Sequence, residues 1–347
     1  MLVVTDDAFG GHLRGSGHVE SADRVVAVTA GLRSRRLLDD VLSARRAGDA
    51  ELMRVHTAAY LALIEAETER LCHQAGDPRF AMLSTGDVVI GSASYEVARR
   101  AAGGAILAME QAVEWAKATF ALVRPPGHHA EQARGMGFCL INNALVAARA
   151  YLATYGGRVL IADFDYHHGN GIQAGVGNGV SYVSTHAWPA YPGTGSATQS
   201  ALLPEGDVLV NVPLSSGGLS TEAFVAIWAR LLPRVASYVR PNLILVSAGF
   251  DYVAGDPVGD LGIDVGAAGM LAAGIAEVAQ RYCDGRTAYI LEGGYSIPAL
   301  IDSVAGVMAA IDGRMSPVSG AEWAAVPASM RRVLERLDAM LGAAGSS

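Results

Sequence analysis

Four short apolar runs end in ionisable or phenolic residues: FALVR leads into PPGHH, VLIADF into DYHHGNG, LILVS into AGFDY and AYIL into EGGY. The segment Asp163-Phe164-Asp165-Tyr166-His167-His168 is the richest of them. Side chains alternate along an extended strand, so Asp163, Asp165 and His167 can lean the same way. A carboxylate and an imidazole two residues apart can bind one cation, and Asp251 could add a third ligand from another strand. Three protein ligands with one position left open describe a catalytic metal site rather than a structural one. Two carboxylates and a histidine suit zinc and leave iron(II), manganese and cobalt open. Any one of these acids alone reads more simply as a loop polar group or a helix cap. Two acids and two adjacent histidines beside an apolar strand resist that reading, because unpaired buried charge is costly.

Other groups fit the same chemistry. In Arg124-Pro-Pro-Gly-His128-His129 the prolines and glycine set a non-helical turn that would hold both imidazoles after a strand. A histidine can deprotonate a water and later protonate a leaving amine. Tyr295, after Gly293 and Gly294, could donate a hydrogen bond to an oxyanion. Gly137-Phe138-Cys139 and Tyr191-Pro192-Gly193 add aromatic side chains on loops. Spacing alone does not separate channel walls from ordinary loop anchors.

These groups need a scaffold that gathers them. Strand-like runs at 120–124, 159–164, 180–184, 208–212, 243–247 and 288–291 alternate with helical segments near 94–117, 142–155, 221–238, 265–282 and 297–311. That alternation predicts an α/β fold with a mainly parallel sheet covered on both faces. Its strand C-termini open onto one edge, where ligands bind. The stretch 188–207 reads as a long Gly/Pro/Ser-rich loop, 1–340 as a single catalytic domain and 341–347 as a frayed tail.

Bulk composition narrows the partners. The 347 residues are 51% hydrophobic and 17% charged, with a net charge of −8. Lys117 is the only lysine and no basic stripe exists, so direct nucleic-acid binding is not expected. The three cysteines, Cys72, Cys139 and Cys283, are far apart and read as reduced thiols of a cytoplasmic protein. No apolar run approaches a membrane span, and no signal-peptide core follows the N-terminus. Homo-oligomerisation stays open.

Taken together, RPPGHHA (124–130), GFCLINNALVAA (137–148), DFDYHHGNGIQ (163–173), STHAWPAYPGTG (184–195), SAGFDYVAGDPVG (247–259) and LEGGY (291–295) resemble the histone deacetylase and acetylpolyamine amidohydrolase family. The HGNG form and GSASYE resemble its class II and bacterial branches, and weaker likeness extends to 18–24, 55–61 and 94–104. The resemblance implies an arginase/deacetylase-like three-layer fold with about eight central strands, near the upper end of common sheet sizes. It implies a zinc-dependent amidohydrolase that removes acetyl or other acyl groups from an amine such as acyl-lysine. The zinc ligands would be Asp165, His167 and Asp251. His129 would serve as general base and then acid, His128 as its electrostatic partner, and Tyr295 as the group polarising the carbonyl. Asp163 would hydrogen-bond His128 and Asn170 would stand behind His129. Gly137, Phe138, Tyr191 and Val258 would line the substrate channel. A potassium site would draw on Asp163, Asp165, His167, Ser184 and Thr185.

Three departures bear on substrate and basicity. Asn170 stands where class I members carry Asp, which implies a less basic His129. HVESADR at 18–24 lacks both prolines of the usual HPERPDR, and Val258 is apolar where the polyamine-specialised branch carries an acid. Alternative readings are a deacylase of acetylpolyamines or another small acylated amine, and a catalytically silent acyl-amine binder. A ureohydrolase is disfavoured, because Gly169 and Asn170 stand where its second metal needs carboxylates.

Overall fold

The computed structural model describes the chain except residues 39, 74–79, 216, 218, 315–322 and 344–347. Its strands are β1 (Leu2–Thr5), β2 (Asp40–Ser43), β3 (Phe80–Met82), β4 (Val89–Gly91), β5 (Ala118–Ala121), β6 (Val159–Asp163), β7 (Val180–Trp188), β8 (Ala201–Leu202), β9 (Val208–Ser215), β10 (Leu243–Ala248) and β11 (Thr287–Leu291). Nine of them form one sheet in the order β2-β1-β5-β11-β10-β6-β7-β9-β8, and β3 and β4 form a separate hairpin. Every pairing in the large sheet is parallel except β8 with β9. About eight strands were expected; the two-residue β8 is the short antiparallel addition at one edge.

The central strands β6, β10 and β11 are buried at every position, as a sheet covered on both sides requires. Helices Asp23–Ser34, Ile297–Ile311, Ala267–Cys283 and Thr221–Val239 pack successively on one another as one layer. Helices Ser94–Trp115 and Asn143–Tyr155 pack together in the other. Local chemistry starts them: the Asn142 side chain accepts from Leu145 N–H and that of Ser220 from Ala223 N–H, both N-caps. One apolar cluster runs from Val3 to Leu341 between the layers.

The chain order reverses between β6 and β10. From β6 the path proceeds outward through β7 and β9, whereas β10 leads the other way to β11. Such a switch point opens a crevice at the strand C-termini. The DxDxH string leaves β6 there, and Asp251 follows β10.

Some expected boundaries shift. The run 120–124 pairs only to Ala121, because the chain then turns toward Pro125 and Pro126, which have no N–H to donate. The stretch 188–207 is not wholly loop: it holds a 3-10 turn, Ala197–Gln199, and β8. The tail expected to fray at 341–347 begins inside a helix, Ala328–Ala343, whose Leu341 is buried, and 344–347 lie outside the described residues. Strands β1 and β2 and helices Asp23–Ser34, Ala58–His73 and Ala328–Ala343 had no expectation; the two strands are four residues each, too short for a clear period. Among the described residues no helix is long and apolar enough to cross a membrane.

Candidate active site

Asp165, His167 and Asp251 meet at the switch point, each offering a ligand atom within 4.8 Å of the others. Asp165 Oδ1 accepts from the His167 backbone N–H at 2.8 Å, and Asp251 Oδ1 accepts from Tyr166 N–H at 2.9 Å. Asp251 Oδ2 is buried without a hydrogen-bond partner, although His167 Nδ1 stands 2.9 Å away. The walls leave no room for side chains. A Cβ on Gly249 would come within 1.8 Å of Asp165 Oδ2, and one on Gly293 within 2.5 Å of Asp251 Oδ2. Burial raises the Asp251 carboxyl to about 6, with the Asp165 charge adding to it. His167 is driven to about 10 despite burial, because the Asp165 and Asp251 carboxylates both stand beside its Nδ1. Two buried carboxylates and an imidazole converging on one point, with Asp251 Oδ2 left unpartnered, form a donor set that fits a cation.

Next to it, the rings of His128 and His129 lie with centroids 4.0 Å apart, tilted by 46°. Gly127 N–H and His128 N–H both donate to Glu292 Oε2, at 2.6 and 3.1 Å, which pins the Pro-Pro-Gly turn to the end of β11. His128 Nδ1 lies 3.2 Å from Asp163 Oδ2, which also accepts from the Tyr182 hydroxyl at 2.8 Å. Burial opposes charge on His128, but Asp165 and Asp163 overcome it and lift its pKa to about 10. His129 Nδ1 lies 2.8 Å from Asn170 Oδ1. Burial first, then the charges of His128 and His167, hold His129 well below its ordinary value.

A cavity of about 290 Å³ joins these groups to Gly137, Phe138, Tyr191, Val258 and Tyr295. Met136 and Cys139 exchange two backbone hydrogen bonds, at 3.1 and 2.9 Å, across a tight turn in which Gly137 and Phe138 both have positive φ, +54° and +69°. Phe138 is an uncommon left-handed non-glycine residue, and this backbone turns its ring toward Tyr295, 5.8 Å away between centroids. Tyr191 forms another wall, its ring 5.1 Å from that of His129. Ser184 and Thr185 sit on β7; Ser184 is paired in register with Asp163, and Thr185 Oγ1 accepts from Trp228 Nε1.

Several contributors have no role assigned from the sequence, although Asp256, Glu20 and Arg24 lie within the motif segments 247–259 and 18–24. Asp87, on the turn after β3, accepts from the Tyr191 hydroxyl and from Gly137 N–H, both at 3.0 Å, and so ties the two cavity walls together. Asp256 accepts from the N–H groups of Tyr295 and Ser296 with one oxygen and of Val258 and Gly259 with the other. Arg24 donates to the carbonyls of Glu292 and Gly294 and lies 4.7 Å over the Tyr295 ring. Buried Glu20 pairs with both Arg24 and Arg124. The 18–24 segment, although it lacks both prolines, is therefore anchored at Glu20 and Arg24, while His18 meets Phe138 edge-on at 4.8 Å.

The site's motifs have counterparts in known proteins. The chain matches a model of the histone deacetylase domain over residues 18–311. It is 34% identical over 337 residues to histone deacetylase 15 of Arabidopsis thaliana, covering 93% of this chain and 58% of that protein's length. Identity to polyamine deacetylase HDAC10 of Mus musculus is 33% over 311 residues, covering 86% of this chain and 46% of that one. The crystal structure of the HDA15 HD domain superposes with a TM-score of 0.84 at 28% identity, over 98% of this chain and 94% of the other. With the domain matched over most of its length and the same fold around the acid–histidine crevice, the chain belongs to the histone deacetylase family.

Proposed function

We propose that this chain is a zinc-dependent amidohydrolase that removes acetyl or other acyl groups from the amine end of a linear chain, with acyl-lysine as the substrate class. The observation that carries the reading is the cavity itself. Its aromatic walls, Phe138 and Tyr191, lead to His129, Tyr295 and the Asp165–His167–Asp251 group. When bound, the metal supplies Lewis acidity to the attacking water and the scissile carbonyl. Asp165, His167 and Asp251 would hold it. His129, kept neutral by its surroundings, takes the water proton on Nε2 while Nδ1 is engaged with Asn170. Buried His128 is the electrostatic partner beside it. Tyr295, kept protonated by burial, donates to the developing oxyanion. His129 then returns its proton to the leaving amine. Asp163, Asp165, His167, Ser184 and Thr185 form the potassium site in this reading, supported by the Asp163–Ser184 register.

Asp87 at the cavity mouth and a net charge of −8 favour a cationic amine, which keeps acetylpolyamines as a second reading. Val258 argues for acyl-lysine, since it places no additional anion there. The free cysteines support a reducing, cytoplasmic setting.

The test is a panel of acetyl-lysine peptides, acetylpolyamines, longer acyl-lysines and a trifluoroacetyl-lysine reporter, run with and without a chelator. Chelator-sensitive turnover of acyl-lysine is expected. Full activity after verified metal removal would sink the mechanism, and zinc loading without turnover on any member would favour a silent binder.

A further inference from the structure

Asn170 is 7% exposed, and both ends of its amide are engaged. Its Oδ1 lies 2.8 Å from His129 Nδ1, and its Nδ2 donates to Glu131 Oε1 at 2.8 Å. The same Nδ2 stands 3.3 Å from the His129 carbonyl and 3.3 Å from Met136 Sδ. The two ends of an amide are nearly identical in shape, so their partners decide which way it points. An ionised carboxylate only accepts, so Glu131 requires the N–H end. The oxygen end is then left for His129, and because it too only accepts, His129 must carry its proton on Nδ1. Its Nε2 lone pair is thereby free for the cavity. With the amide reversed, Nδ1 would accept, the proton would sit on Nε2, and His129 could not take a proton there.

Glu131 is itself well held. Its N–H donates to the Arg134 carbonyl at 2.9 Å, and its own carbonyl lies 3.0 Å from His56 Nδ1. His56 Nε2 accepts from Asn142 N–H, so Nδ1 of that ring is the donor. We infer that Glu131 is a positioning residue that acts through Asn170 to set the tautomer of His129. This rests on the reading of His129 as the general base. It also accounts for an amide rather than a carboxylate at position 170, because an Asp there would face Glu131 with like charge.

Kinetics and spectroscopy test it separately. Glu131→Ala is expected to lower kcat about tenfold with KM held within about twofold, the loss of one charge-assisted hydrogen bond. Glu131→Gln, whose amide oxygen can accept the same bond, should keep kcat within about threefold. In an Asn170→Ala background, Glu131→Ala should cost nothing more, as expected of two residues acting as a unit. A wild-type kcat in Glu131→Ala, an equal loss in Glu131→Gln, or a full further loss in the Asn170→Ala background would each overturn the assignment. Imidazole ¹⁵N NMR of the metal-free protein gives a readout independent of turnover. His129 should be the Nδ1–H tautomer in the wild type and a mixture in Glu131→Ala; a pure Nδ1–H form in the variant refutes the inference. If no acyl-amine is turned over, the proposed function fails while the NMR result still decides the role of Glu131.

Discussion

Charge balance governs the residues at the switch point. Asp165 and Asp251 are buried side by side against His167, and Asp165 and His167 both line the cavity. Burial works against ionisation of Asp165, yet the charges of His128 and His167 hold its carboxyl below the ordinary range. Zinc would take over that compensation. Since outer partners of metal sites already cost about 10–100-fold, Asp251→Ala should lower zinc affinity at least about 100-fold, read by metal titration of the folded variant. Undiminished zinc binding would remove Asp251 from the ligand set. Tyr295 makes a different contribution. If its hydroxyl meets only the oxyanion, Tyr295→Phe should lower kcat by about 10²–10³ and leave KM nearly unchanged. A loss confined to KM would instead make it a binding residue.

At the scale of turns and buried networks, small segments aim these side chains. In the Met136–Cys139 turn, a Cβ on Gly137 would fall 2.3 Å from His129 Cδ2, at a φ of +54°. Gly137→Ala should therefore destabilise by about 1–2 kcal/mol from backbone strain. Its displacement of the imidazole should cut kcat/KM about 100-fold, and a fully active variant would contradict the placement of that ring. The Glu20 network answers to pH. Burial opposes ionisation of Glu20, but Arg124 prevails and sets its pKa at about 2, below the 4.5 of a free carboxyl. A depressed carboxyl stabilises the fold fully above pH 4.5 and loses that contribution as pH falls toward 2. His12, kept neutral by burial to about pH 3 against an ordinary 6.5, adds a loss that begins below 6.5. Glu20→Gln leaves both guanidinium groups uncompensated and should cost about 3–5 kcal/mol at pH 7. Urea unfolding between pH 5 and 3 should then show a shallower decline than in the wild type, and parallel declines would refute Glu20 as the titrating group.

For the whole molecule, β6 and β10 are adjacent central strands, so a metal held at their ends, as proposed, would tie together both directions of the sheet. Zinc at about a thousandfold excess over its Kd should stabilise the fold by about 4 kcal/mol, seen as a higher Tm than in chelator. Equal melting temperatures with and without zinc would mean that the folded state gains nothing from the ion. The same topology places β11 beside β10 and β5 beside β11, so the two histidines and Tyr295 reach the crevice from neighbouring strands.

The strings at the strand ends carry their own signal. A buried run followed at once by Asp, His or Tyr is a local pattern, and adjacency in a parallel sheet follows from alternating strands and helices. That was enough to nominate Asp165, His167, Asp251, His128, His129 and Tyr295, and the family motifs then suggested Asn170, Phe138 and Tyr191. Sequence alone gives no role to Asp87, Asp256, Glu20 or Glu131, although Glu20 and Asp256 lie within segments that carry the family likeness. They are ordinary loop acids by type, and what matters in each is a contact made across the fold: Asp87 with Tyr191, Glu20 with Arg124, Glu131 with Asn170. Nor could composition predict that Phe138 turns inward, since that depends on a left-handed backbone closed by Met136 and Cys139. Residue type and spacing determined which chemistry is available; tertiary structure decided its protonation and aim, because burial and partner charge exist only once distant segments have packed together.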